Sequence, residues 1–123
     1  KSHPYDALEA VATLEEVQSA RRAIRAVRVE RAVGAYMVSL GRSLREHPQV
    51  RLGVSPRGSL ALFRIAQGWA AHLGRDYCMP DDVKAVAVPV LAHRLVLEPK
   101  AKYASVNPQD IVREVLESQP VPV

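Results

Sequence analysis

Gly53-Val54-Ser55-Pro56-Arg57-Gly58-Ser59 opens a helix and places an arginine in its first turn. Ser55 is a good N-cap, because its hydroxyl can accept from backbone N–H groups that have no helical partner. Pro56 suits the first helical position, where no N–H is needed and φ is already set. The helix then runs from about Pro56 to Leu73, with Gly74 placed for a left-handed C-terminal cap. Its apolar stripe is Leu62, Ile65, Ala66, Trp69 and Leu73. Arg57 stands at the positive end of the helix macrodipole, an unfavourable place for a cation by roughly 0.3–1 kcal/mol. An anion would reverse that sign, because N–H groups, dipole and guanidinium would then face one phosphate. A solvated arginine beside a Ser-Pro helix start is the plainer alternative.

The same punctuation divides the rest of the chain. Thr13 and Glu16 form a capping box in front of a helix over Leu14 to Ala26. Leu14, Val17, Ala20, Ile24 and Val27 recur on one face of it, and Arg21, Arg22, Arg25 and Arg28 on the other. Val27-Arg28-Val29 interrupts, and a second helix covers Glu30 to Arg45. Gly34 and Gly41 lie inside that helix, where close approach of another helix would compensate their poor propensity. His47-Pro48 ends it, and Gln49 to Val54 is an irregular or extended connector.

Downstream, Arg75 to Cys78 is a tight connection. Pro80-Asp81-Asp82 starts a fourth helix, which Pro89 should kink or break between Val83 and Arg94. Glu98 to Val106 reads as a polar loop. Asn107-Pro108 opens a last helix to Ser118, with Ile111, Val112, Val115 and Leu116 inward, and Pro120 ends it. The expected fold is all-α: a small bundle of roughly five helices. Residues 1–12 are expected to be a lead-in, 13–119 the helical domain and 120–123 a tail.

Composition narrows the function. The chain has 123 residues, one domain's worth, with 48% hydrophobic residues and only 5% aromatic. A formal charge of +4 and a pI near 9.6 suit phosphate-bearing ligands without demanding nucleic acid. The single Cys78 cannot form an internal disulfide, so a reducing, cytoplasmic setting is expected and the thiol reads as structural. The apolar stretch Ala85 to Leu97 is broken by Pro89, His93 and Arg94 and cannot span a membrane. No secretory leader is visible, and the start at Lys1, without Met, suggests a piece of something longer.

Most enzymatic chemistries lack their residues. A phosphate-binding P-loop needs G-x-x-x-x-G-K-[S/T]; Gly53 to Ser59 supplies the glycines and then places Ser59 where lysine must stand. His3, His47, His72 and His93 are scattered, with no metal-ligand spacing. Asp81 and Asp82 are explained by helix capping, and Trp69 by core packing. The Arg21, Arg25 and Arg28 ridge could follow a nucleic-acid backbone, but Glu15, Glu16 and Glu30 dilute it.

Several motifs together resemble the C-terminal lid of MoxR-type AAA+ ATPases. They are Gly53-Val54-Ser55-Pro56-Arg57 with Leu60-Ala61-Leu62, Gly74-Arg75-Asp76-Tyr77, Pro80-Asp81-Asp82-Val83 and Val90-Leu91-Ala92-His93-Arg94-Leu95. The lead-in His3-Pro4-Tyr5-Asp6-Ala7-Leu8 resembles the point where such a lid leaves its nucleotide-binding core. Gly58 departs from the alanine expected there, a change that should loosen the helix start.

By this resemblance Arg57 is the sensor-2 residue, contacting the γ-phosphate of ATP bound in the core domain. Ser55 and Pro56 support it, and Arg64 is a candidate for a supporting position. The resemblance implies an ATPase that works as a hexameric ring, chaperone-like, with a client or a von Willebrand A-domain partner. ATP and its Mg would be held by the core. The P-loop, the Walker-B acid and the arginine finger are absent from the chain, which alone should hydrolyse nothing. Nucleic acid is not an expected partner. The alternative is a small helical nucleic-acid-binding or protein-interaction domain that uses the Arg21/Arg25/Arg28 face.

Overall fold

A computed structural model describes residues 3–122. Lys1, Ser2 and Val123, at the outer ends of the expected lead-in and tail, lie outside the described residues.

Local signals set most of the helix ends. Thr13 Oγ1 accepts from Glu16 N–H, and the Glu16 carboxylate accepts from Thr13 N–H at 2.7 Å, closing the capping box of α1 (Leu14–Ala26). Helix α2 spans Arg31–Glu46. Helix α3 spans Pro56–His72. Gly74, at φ +77°, ends α3, with its N–H bonded to Ala71 O and that of Arg75 to Ala70 O. This pair of bonds is a Schellman closure, which satisfies carbonyls that the helix leaves open. Helix α4 covers Pro80–Leu91 and α6 covers Pro108–Ser118. Helix α4 runs through Pro89 and gives way to a 3-10 turn, Ala92–Arg94, inside the window where the break was expected.

The bundle has six α-helices among the described residues, because Pro99–Tyr103, read from sequence as loop, forms the short helix α5. Four strands of two or three residues join the helices. Strand β1 (Arg28–Val29) pairs in parallel with β3 (Tyr77–Cys78). Strand β2 (Val50–Leu52) pairs antiparallel with β4 (Val96–Leu97). The second pair matters for function: it brings the residues that follow β2 beside those that precede β4.

The core lies between α2, α3, α4 and α6. Leu40, Leu44, Leu62, Leu91 and Ile111 are among its fully buried side chains. Two expectations about it fail. Ile65, Trp69 and Leu73 are 46%, 40% and 53% exposed, so only Leu62 and Ala66 of the expected α3 stripe are buried. The face that α3 buries is Gly58, Leu62, Ala66, Gln67 and Ala70, rotated around the helix from the expected stripe, and Leu73 is the C-cap at the helix end. Helix α1 buries none of its residues; Leu14 and Val17 are exposed, and Val27, just past its end, is the first buried side chain. The glycines of α2 also divide. A Cβ on Gly41 would lie 2.9 Å from Ser59 Oγ, so α3 approaches closely there, whereas nothing lies within 4 Å of Gly34.

Candidate functional site: a braced arginine at the tip of helix α3

The first turn of α3 is held from three sides. Ser55 Oγ accepts from Gly58 N–H at 3.3 Å, and Pro56 occupies the first helical position. From α2, Arg45 Nη1 donates to Val54 O at 2.9 Å. The α2 backbone runs so close that a Cβ on Gly53 would stand 2.5 Å from Arg45 Cα, which only glycine avoids. From the far side comes Arg94, delivered by the β2–β4 pairing. Its Nε donates to Val90 O at 2.9 Å, and its Cδ lies 3.2 Å from where a Cβ on Gly58 would sit. Gly58 is buried, so its lack of a side chain admits tight packing and does not loosen the helix start.

Arg57 stands on this braced turn. It is exposed and has no hydrogen bond or ion pair among the described residues. Part of the sequence argument for an anion changes here. Gly58 N–H is taken by Ser55 Oγ, and Ser59 N–H closes onto Ser55 O at 3.1 Å. The guanidinium and the helix dipole therefore carry the attraction, with little left from the amides.

Arg64 lies two turns further along, about 10 Å from Arg57 by helical rise. Its Nη1 donates to Gln67 Oε1 at 3.0 Å, and its guanidinium sits 5.5 Å from the centre of the Phe63 ring. The structure thus engages Arg64 with Gln67 and does not gather it with Arg57.

Of the other sequence candidates, Asp82 and Cys78 are buried and the rest lie on the surface. Asp82 is 2% exposed and accepts from Met79 N–H at 2.7 Å, capping α4. It also holds Arg75 bidentately, Nη1 to Oδ2 at 2.8 Å, a pairing that sequence reasoning missed. Burial pushes the Asp82 carboxyl up, but the Arg75 and Met79 hydrogen bonds outweigh it and hold the group below the ordinary carboxylate range. Asp81 is exposed, 3.5 Å from Lys84. Cys78 is buried, and that burial pushes its thiol up to about 11. Arg21, Arg22 and Arg25 are exposed and line a shallow depression of about 200 Å³ with Gln18. Among the described residues no group of three or more His, Cys, Asp and Glu could hold a metal ion. No helix among them is long and apolar enough to cross a membrane.

Gln67 was missed as well. It is 3% exposed and bonded to Val27 O at 2.7 Å. The available signal was a polar residue beside Ala66 in an apolar stretch.

Comparison with known proteins places the chain in one family. The AAA lid domain matches residues 42–115, which include the braced turn and Arg94. The chain is 42% identical over 123 residues, its full length, to the Uncharacterized protein YeaC of Bacillus subtilis, and covers 38% of that protein. It is 38% identical over 112 residues to Protein MoxR of Methylorubrum extorquens, covering 79% of this chain and 32% of the relative. It is 40% identical over 73 residues to Chaperone MoxR1 of Mycobacterium tuberculosis, covering 59% and 19%. A solved Cytophaga hutchinsonii structure, provisionally named an ATPase, superposes with a TM-score of 0.85 at 25% identity, over 89% of this chain and 36% of that one. The chain thus spans about a third of the length of YeaC and the Methylorubrum MoxR. It belongs to the AAA lid domain family, as a C-terminal lid domain of the MoxR-type AAA+ ATPases.

Proposed function

We propose that this lid senses the γ-phosphate of ATP through Arg57, acting as the sensor-2 residue. The ATP and its Mg are held by an AAA+ core domain joined to the lid in a longer polypeptide. The observation that carries the reading is an exposed guanidinium, without a partner among the described residues, on a helix tip capped by Ser55 and packed by Arg45 and Arg94. A cation is unfavourable at that position on its own, and a phosphate placed against it removes the penalty. Ser55 and Pro56 fix the turn from which Arg57 projects.

In this mechanism the Arg57 guanidinium balances charge on the γ-phosphoryl oxygens as the group passes to water. Hydrolysis is assigned to the core, since Gly53 to Ser59 places Ser59 where a P-loop needs lysine. Once the γ-phosphate has left, the ion pair between lid and core is lost and the lid can swing. In a ring, taken as hexameric, that movement passes to neighbouring subunits and to a client, in the chaperone-like manner that the name of the mycobacterial relative describes. The setting is cytoplasmic, and a von Willebrand A-domain protein is the partner class proposed.

The test is ATP turnover by the longer protein carrying Arg57→Ala. Turnover falls at least about tenfold, equivalent to ~1.4 kcal/mol of transition-state stabilisation. Wild-type turnover by that variant would remove Arg57 from the mechanism.

A further inference from the structure

Among the described residues, Gln67 and Asp82 are the two buried side chains that carry an amide or a charge. A leucine or methionine would fill the same volume without desolvating an amide. The amide is nevertheless well used. Nε2 donates to Val27 O at 2.7 Å and lies 3.5 Å from Arg25 O, while Oε1 accepts from Arg64 Nη1. Both carbonyls belong to the C-terminal end of α1, where helix carbonyls have lost their partners.

That end anchors α1, which also packs along α3. The helix itself buries nothing. Its C-terminal end is tied by the buried Val27, by Arg28 N–H to Asp76 O at 2.8 Å and the β1–β3 pair, and by Gln67. Of these hydrogen-bonded ties only Gln67 comes from α3, the helix that carries Arg57. Ile24 of α1 adds an approach to α3, with its Cγ2 4.0 Å from the position of a Cβ on Gly68. From Arg57 to Gln67 the helix rises about 15 Å without interruption.

We propose that Gln67, oriented by Arg64, is a positioning residue that makes α1 turn with α3 as one body. A displacement imposed at the Arg57 end of α3 is then carried to the segment that precedes the bundle. The proposal rests on the reading of Arg57 as the phosphate sensor.

The experiment uses the longer ATPase in a Cys78→Ala background, spin-labelled at Gln18→Cys on α1 and Leu60→Cys on α3. With Gln67 intact, the inter-label distance is narrow and the same with ATPγS and with ADP. Gln67→Met broadens it and makes it nucleotide-dependent, and lowers kcat for ATP several-fold at unchanged KM. Arg64→Met, on the surface, gives a milder form of both effects and covers the case in which Gln67→Met does not fold. Arg57→Ala lowers turnover but leaves the distance narrow. A narrow distance and wild-type kcat in both the Gln67 and Arg64 variants, with Arg57→Ala still impaired, overturns the inference and leaves the sensor reading standing. Wild-type turnover by Arg57→Ala overturns the sensor reading and the proposed transmission with it.

Discussion

The Cγ1 atom of Val54 stands 2.6 Å from the point that a Cβ on Gly58 would occupy, so these two residues share one methyl-sized space beneath the Arg57 turn. Val54 is fully buried and Arg94 closes the same space from the other side. An exposed helix would gain up to about 1 kcal/mol from alanine in place of glycine. Here overpacking, typically about 1–3 kcal/mol, opposes that gain.

Gly58→Ala should therefore lower stability by about 1 kcal/mol, while the same change in a Val54→Ala background should be neutral or stabilising. Urea denaturation of the four proteins of this cycle measures the coupling. Additive effects would mean that the two side chains do not compete for space.

Arg57 should be costly to the fold and needed for the reaction. Replacing it with glutamate puts an acid at the positive end of α3 and should stabilise the lid by about 0.3–1 kcal/mol. Arg57→Ala should change stability by less than about 0.5 kcal/mol. Both should depress ATP turnover in the longer protein. Thermal unfolding, read beside turnover, checks the opposite signs. A large stability loss in Arg57→Ala would mean that the guanidinium packs against its own bundle.

Asp82 should set an acid limit. Its carboxyl is held below the ordinary range in the folded state, so the folded protein takes up that proton later than the unfolded chain. The resulting stability is present above about pH 4 and is lost as pH falls from there through the folded value. Asp82→Asn should flatten that part of the stability–pH curve. Asp82→Ala should cost about 1–3 kcal/mol through the lost cap and hydrogen bonds. An unchanged acid limb in Asp82→Asn would count against the Arg75–Asp82 pair as its source.

Trp69 and Cys78 report on opposite environments. Trp69 is 40% exposed beside His72, so acrylamide should quench its fluorescence in the folded state. Cys78 is buried and its thiol is pushed up to about 11, so disulfide reagents should react with it only on unfolding. Because the folded thiol holds its proton longer, this contribution to stability is full below about pH 8.5 and falls as pH rises toward that folded value. A shielded Trp69 or a freely reactive Cys78 would contradict the packing of α3 and β3.

Features written in adjacent residues were legible in the sequence. The Thr13–Glu16 box, the Ser55–Pro56 start, the Gly74 stop and the Asn107–Pro108 start are local, and the structure realises each of them. The place of Arg57 in the first turn of α3 was legible for the same reason, since a charge there is read from position alone. Partners distant in sequence were not. Arg28 meets Tyr77 and Val50 meets Leu97 in strands too short to leave an alternating pattern. Helix α5 carries Lys100 and Lys102 over five residues, too few to establish a period. Periodicity placed Trp69 on an apolar stripe, but it could not say how much of that stripe the core would cover. Gln67 depends on carbonyls 40 and 42 residues away.

The most direct measurement is a structure of the longer protein with ATPγS bound. A guanidinium nitrogen of Arg57 should lie about 2.7–2.9 Å from a γ-phosphate oxygen, with the Gly53–Gly58 turn unchanged. An Arg57 side chain turned to solvent or to another protein group, with the γ-phosphate held entirely by residues outside the lid, would contradict the sensor role.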